Sequence, residues 1–125
     1  MVKKKTLRIG VKGLKQSLDE FASTAEAIER GEKVRKSSGV FFTSIEALRK
    51  SLTPKRLELL ALIMEREPES LNELARLAKR NIKNVFDDIT YLEQVGMLSK
   101  KDAGRETVPV IDYDSITIDI DLKGE

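Results

Sequence analysis

Residues 70–98 read SLNELARLAKRNIKNVFDDITYLEQVGML, and the punctuation of this stretch decides the fold. Ser70 is a capping residue ahead of Leu71, Leu74, Ala75 and Ala78, which recur at helical spacing. Asn81 then caps a longer helix that carries Ile82, Val85, Phe86, Ile89 and Leu92 and stops at Gly96. After Gly96 the period falls to about two. Met97 to Lys100 and Thr107 to Ile111 flank a loop from Lys101 to Glu106, with Gly104 at its turn, which predicts a β-hairpin. Upstream, Thr53 and Pro54 combine an N-cap with proline at the first helical position. They open a helix carrying Leu57, Leu60, Ala61, Ile63 and Met64, which Pro68 closes. The expected order is therefore three helices and a hairpin. The offset from Leu74 to Leu92 sets the third helix steeply across the second, and small Ala75 permits their close approach.

Further out, Thr43-Ser44-Ile45-Glu46 reads as a capping box, with Thr43 as N-cap of a helix running to about Leu52. Val40-Phe41-Phe42 is a short apolar strand, and Glu32 to Gly39 is a polar loop. Leu14, Leu18, Phe21, Ala25 and Ile28 are spaced as one narrow helical seam that ends at Gly31. Before it, Thr6 to Val11 alternates, so Leu7, Ile9 and Val11 share one face of a strand. At the other end Ile116, Ile118, Ile120 and Leu122 alternate with Thr117, Asp119 and Asp121, a last strand with one apolar and one acidic face. No internal repeat or low-complexity tract is present.

Composition removes much of the possible chemistry. The 125 residues are 40% hydrophobic and 35% charged, enough for one core and too evenly mixed for a disordered tail. There is no cysteine and no histidine. Disulfides, thiolate nucleophiles, the usual zinc ligands and the commonest acid/base side chain are all missing. No paired-carboxylate motif, Gly-rich phosphate loop or nucleophile elbow occurs, so the chain is not expected to be an enzyme and no cofactor is expected. Asp112, Asp114, Asp119 and Asp121 suggest a cation site, but the solvent side of an edge strand accounts for them better, and no metal is expected. No apolar run approaches ~20 residues, so no membrane span is expected. Thr6 to Val11 is too short and polar for a signal-peptide core, which makes a cytoplasmic location the expectation. The net charge of +2 hides an asymmetry. Residues 1–52 hold 12 Lys and Arg against 6 Asp and Glu, whereas residues 53–125 hold 11 against 15. That division suggests an N-terminal strand and helix extension, 1–52, and a second unit, 53–125.

Glu73-Leu74-Ala75, Val85, Leu92-Glu93, Gly96 and Leu98 together resemble the MarR-like winged helix-turn-helix regulators. Leu52 to Leu60 and Tyr113 are closer still to short prokaryotic winged-helix proteins that act as regulators or antitoxins. The resemblance implies an α+β fold, a winged helix-turn-helix with a three-helix core and a β-hairpin wing, preceded by a strand–helix dimerisation extension. It also implies that the third helix enters the major groove and presents Arg80, Asn81, Lys83, Asn84 and Asp87 to base edges. Lys101 and Arg105 would reach DNA from the hairpin tip, while Lys55, Arg56, Lys79 and Ser70 would contact phosphates. Asp87 and Asp88 stand out, because carboxylates on such a helix repel phosphate; pairing within the chain, for example with Lys83, is as good a reading as base contact.

The function implied is a sequence-specific DNA-binding transcriptional regulator, a repressor that could double as an autoregulating antitoxin. The partners implied are double-stranded DNA, a second copy of the chain, and, for an antitoxin, its cognate toxin protein. Leu7, Ile9, Val11, Leu14, Leu18, Phe21, Ala25 and Ile28 are the expected dimer interface, with the N-terminal strand pairing across the dimer. The competing reading is a protein-interaction or toxin-neutralising module whose winged helix does not bind DNA, favoured by the acidic balance of residues 53–125.

Overall fold

The structure, a computed structural model, describes residues 5–12, 22 and 39–122 of the chain. In order, these form β1 (Thr6–Val11), β2 (Val40–Phe42), α1 (Ile45–Ser51), α2 (Pro54–Arg66), α3 (Leu71–Ala78), α4 (Ile82–Gln94), β3 (Ser99–Ala103), β4 (Glu106–Val110) and β5 (Ser115–Ile120). The fold is α+β. Leu14, Leu18, Phe21, Ala25 and Ile28, the expected seam, lie outside the described residues.

Local chemistry sets the helix boundaries. The Thr53 hydroxyl accepts from the Arg56 amide at 3.2 Å, Ser70 from the Glu73 amide at 3.0 Å, and the Asn81 side chain from the Lys83 amide at 2.8 Å. The cap of α1 is Ser44 rather than Thr43, with its hydroxyl 3.1 Å from the Ala47 amide. Glu46 then sits too early in the first turn to close a reciprocal box, although its charge still suits the helix N-terminus. Helices α2 and α3 both end on a non-glycine residue in the left-handed region, Glu67 at φ 45° and Lys79 at φ 56°. Such a residue carries steric strain of about 1–2 kcal/mol. Glu67→Gly is therefore expected to raise stability by about 0.5–1 kcal/mol in urea unfolding, the added freedom of the unfolded glycine offsetting part of the gain.

The two sheets differ in kind. Strands β3 and β4 form an antiparallel hairpin whose register closes at Ala103 opposite Glu106. The loop is thus only Gly104 and Arg105, with Gly104 at φ 69° in the first position, the arrangement of a type II′ turn. Lys101, expected at the hairpin tip, instead stands within β3 opposite Val108, and only Arg105 is at the tip. The second sheet is parallel, in the order β2-β1-β5. Gly10 of β1 lies beneath the Phe41 ring; a Cβ there would come within 2.8 Å of Phe41 Cδ1.

This topology overturns the expectation that the N-terminal strand pairs across a dimer. Strand β1 is central, with both of its edges hydrogen bonded to strands of its own chain. Ile9 is 1% exposed and Val11 is buried, so neither is free to form an interface, and Leu7 is partly buried against the same core. Residues on both sides of position 52 share that core: Ile9, Val11, Val40, Phe42 and Leu48 join Leu59, Leu60 and Ile63 of α2, Leu74 of α3, and Val85, Ile89 and Leu92 of α4. Each large apolar side chain fully buried there contributes roughly 1.5–3 kcal/mol. Tyr113 closes the cluster from the start of the last segment, where its hydroxyl donates to the Met97 carbonyl at 2.6 Å.

Candidate nucleic-acid interface

Helix α4 is fixed from one side by its buried stripe, Val85, Ile89 and Leu92. At about 100° per residue, Lys83, Asp87, Thr90 and Gln94 fall opposite that stripe. Lys83, Asn84 and Asp87 are exposed. The αL turn at Lys79 and the cap at Asn81 set α4 off from α3.

One flank of α4 is held by a charge cluster. Asp88 accepts from Arg56 Nε at 3.1 Å and from Arg80 Nη2 at 2.9 Å, and all three side chains are 17–18% exposed. The remaining reach of Arg56 goes to the carbonyls of Lys50 and Ser51, at 3.0 and 2.9 Å, where α1 ends. Its guanidinium also lies over the Tyr91 ring, 4.1 Å from the centroid, and the Tyr91 hydroxyl is hydrogen bonded to buried Ser51. The cluster thus ties α1, α2, the α3–α4 turn and α4 together.

Its existence corrects several expected contacts. Arg56 and Arg80, expected to be free for DNA, are instead engaged with Asp88 and mostly withdrawn from solvent. Asp88 does find an intramolecular partner, but it is this arginine pair rather than Lys83. The Asn81 carbonyl oxygen is committed to its cap, although the residue is exposed. Ser70 caps α3 in a groove lined by Glu67, Glu69, Glu73 and Glu106, where the field repels phosphate. The residues left on the surface are Lys55, Lys79, Lys83, Asn84, Asp87, Lys101 and Arg105. None of these makes an ion pair among the described residues.

The opposite flank is tied to the hairpin by a residue the sequence reading passed over. Lys100 of β3 reaches Thr90 Oγ1 at 3.2 Å and Glu93 Oε1 at 3.4 Å, and its ammonium lies 4.9 Å from the Phe86 ring centroid. Phe86 and Ile82, both part of the apolar helical pattern read from the sequence, are 49% and 42% exposed. The signal was in the spacing: Val85, Ile89 and Leu92 complete a stripe, and Phe86 stands about 100° away from its first member.

The described residues contain no cluster of His, Cys, Asp and Glu able to hold a metal ion, and no helix among them is long and apolar enough to cross a membrane. Against known proteins, the model of the HVO_A0114 family matches residues 51–118, more than half of the chain. The chain belongs to the HVO_A0114 family. The match spans Ser51, the Arg56–Asp88–Arg80 cluster, the hairpin and most of β5, so the family segment of this HVO_A0114 chain contains the whole candidate interface. Strand β1, to which that segment pairs through β5, lies outside it. No curated protein and no solved structure matches the chain.

Proposed function

We propose that this chain is a winged helix-turn-helix protein of the MarR-like kind that binds double-stranded DNA and regulates transcription, with α4 as the recognition helix and the β3–β4 hairpin as the wing. The observation that carries this reading is the contrast on α4. On one flank the Asp88 carboxylate is neutralised by two arginines. Meanwhile Lys83 is exposed on the outward face of α4, and Lys79, Lys101 and Arg105 are exposed on the preceding turn and the hairpin. Asn84 suits adenine, Lys83 guanine and Asp87 the cytosine amino group. The proposal includes a homodimer, which presents two recognition helices to half-sites about 34 Å apart and supplies the affinity that the five free cations of one chain cannot. The reading includes a repressor acting at its own promoter, and an antitoxin would add a toxin partner.

Lys83→Glu combined with Arg105→Glu tests the reading. Retention of duplex DNA in fluorescence anisotropy should be lost, or its salt slope should fall by about 4 for the dimer, two cations from each protomer, if some binding persists. Circular dichroism and mass by light scattering should stay as in the parent, because both side chains are exposed. Undiminished binding by the double variant would remove α4 and the wing from the interface.

One observation favours the protein-interaction reading. Leu57, Leu60, Ala61 and Met64 of α2 face Ile111, Tyr113 and Ile116 across an apolar groove of about 210 Å³. If parent protein retains no duplex even at low salt, that groove becomes the leading functional surface.

A further inference from the structure

We infer that Ile82 and Phe86 read thymine C5-methyl groups, which makes this chain selective for T-bearing steps. The inference rests on the DNA-binding reading. The two side chains stand four residues apart on one flank of α4, so they project side by side from the first two turns of the helix. They are the two large hydrophobic residues that α4 leaves exposed, at 42% and 49%. An exposed apolar pair is unfavourable in water, and here a cation, Lys100, lies against it. Lys83 lies between the pair in sequence and is exposed, and Lys79 precedes it at the α3–α4 turn.

That combination fits one chemistry well. A polyanion with apolar groups set in a groove is the major groove of DNA, where thymine alone among the four bases offers a methyl group. An acidic protein surface would satisfy the lysines but has no regular apolar groups at the base of a charged cleft. The phenyl ring is also positioned in advance. Lys100, itself held by Thr90 and Glu93, covers one side of the ring, and the ring remains half exposed. Holding the ring in this way lowers the ordering cost of a contact. Lys100 is therefore a positioning residue, and Phe86 and Ile82 are the contacting ones.

The test uses the full chain and a duplex enriched by the protein itself from a random-sequence pool. Binding is measured to that duplex and to the same duplex with deoxyuridine in place of thymidine, which removes only the methyl groups. For the parent, replacement should weaken binding about fourfold for each methyl contacted. Phe86→Ala and Ile82→Ala should each bring the thymine-to-uracil ratio closer to one while leaving the salt dependence of binding unchanged; the double variant should abolish the ratio. Lys100→Gln should lower the ratio without removing it. Both apolar positions are half exposed, so folding should survive, and Phe86→Leu, which keeps an apolar tip, should retain part of the discrimination. A duplex bound equally with thymidine or deoxyuridine overturns the inference and leaves DNA binding standing. The same holds if the protein binds duplexes but enriches none. Failure to retain any duplex overturns the DNA-binding reading and this inference with it.

Discussion

Asp88→Ala is expected to lower folding stability by about 3 kcal/mol, read as a shift in the urea midpoint with little change in slope. The carboxylate holds two guanidinium groups, and all three side chains are mostly withdrawn from water. Removing it leaves two positive charges close together without their counter-ion. Arg80 is already poorly placed to compensate, since its Nη1 is buried without a hydrogen-bond partner among the described residues. Arg56 retains its carbonyl acceptors at the end of α1, so the greater share of the loss falls on the α3–α4 turn. Replacing the whole triad, as Arg56→Met with Asp88→Leu and Arg80→Met, should recover much of the lost stability, because no charge is then left unpaired. Asp87→Ala, one residue away and exposed, should stay within about 0.5 kcal/mol of the parent. A loss below about 1 kcal/mol for Asp88→Ala would mean that the cluster behaves as an exposed ion pair.

The triad also shows why parts of the site could be read from sequence and parts could not. The caps at Thr53, Ser70 and Asn81 are contacts within three residues, so the local sequence determines them. The hairpin was legible for the same reason, since Gly104 sets its turn locally. Arg56 and Asp88, by contrast, meet only because α2 packs on α4, and nothing near either residue announces the pair. A basic side chain at a helix start suits phosphate or a buried carboxylate equally well, and tertiary packing makes the choice. The parallel pairing of β1 with β5 is a still longer-range event. Alternation in Thr6 to Val11 and in Ile116 to Ile120 marks two strands but says nothing of their mutual register, which aligns Leu7 with Ile116, Ile9 with Ile118 and Val11 with Ile120.

The electrostatic consequence bears on any nucleic-acid contact. With Arg56 and Arg80 spent on Asp88, the surface of the proposed reading head rests on lysines and one turn arginine. Lysines act as point charges without the fixed fork of a guanidinium, so they give affinity more than base selectivity. Beyond what Lys83 can read at guanine, selectivity then rests on Asn84, Asp87 and the exposed apolar flank, the residues on α4 whose replacement should change sequence preference more than binding strength.

Tyr113→Phe should change the alkaline stability profile, and the sign follows from where the proton is held. Burial, and secondarily the neighbouring Asp112 charge, pushes the Tyr113 phenol from its ordinary 10 up to about 12. The folded chain keeps this proton at pH values where the unfolded chain has released it. Stability that is fully present below pH 10 is therefore lost as the pH rises towards 12, at up to about 1.4 kcal/mol per pH unit, or about 2–3 kcal/mol in all. The phenylalanine variant has no such proton. At neutral pH it should be the less stable protein by about 1–2 kcal/mol, because the buried Met97 carbonyl loses the donor that sits 2.6 Å away. The two stability curves should consequently converge above pH 10 and cross before pH 12. Parallel curves over that interval, from urea unfolding at a series of pH values, would show that the hydroxyl titrates in the folded chain as it does in water, and the Tyr113–Met97 contact would then have no part in closing the core.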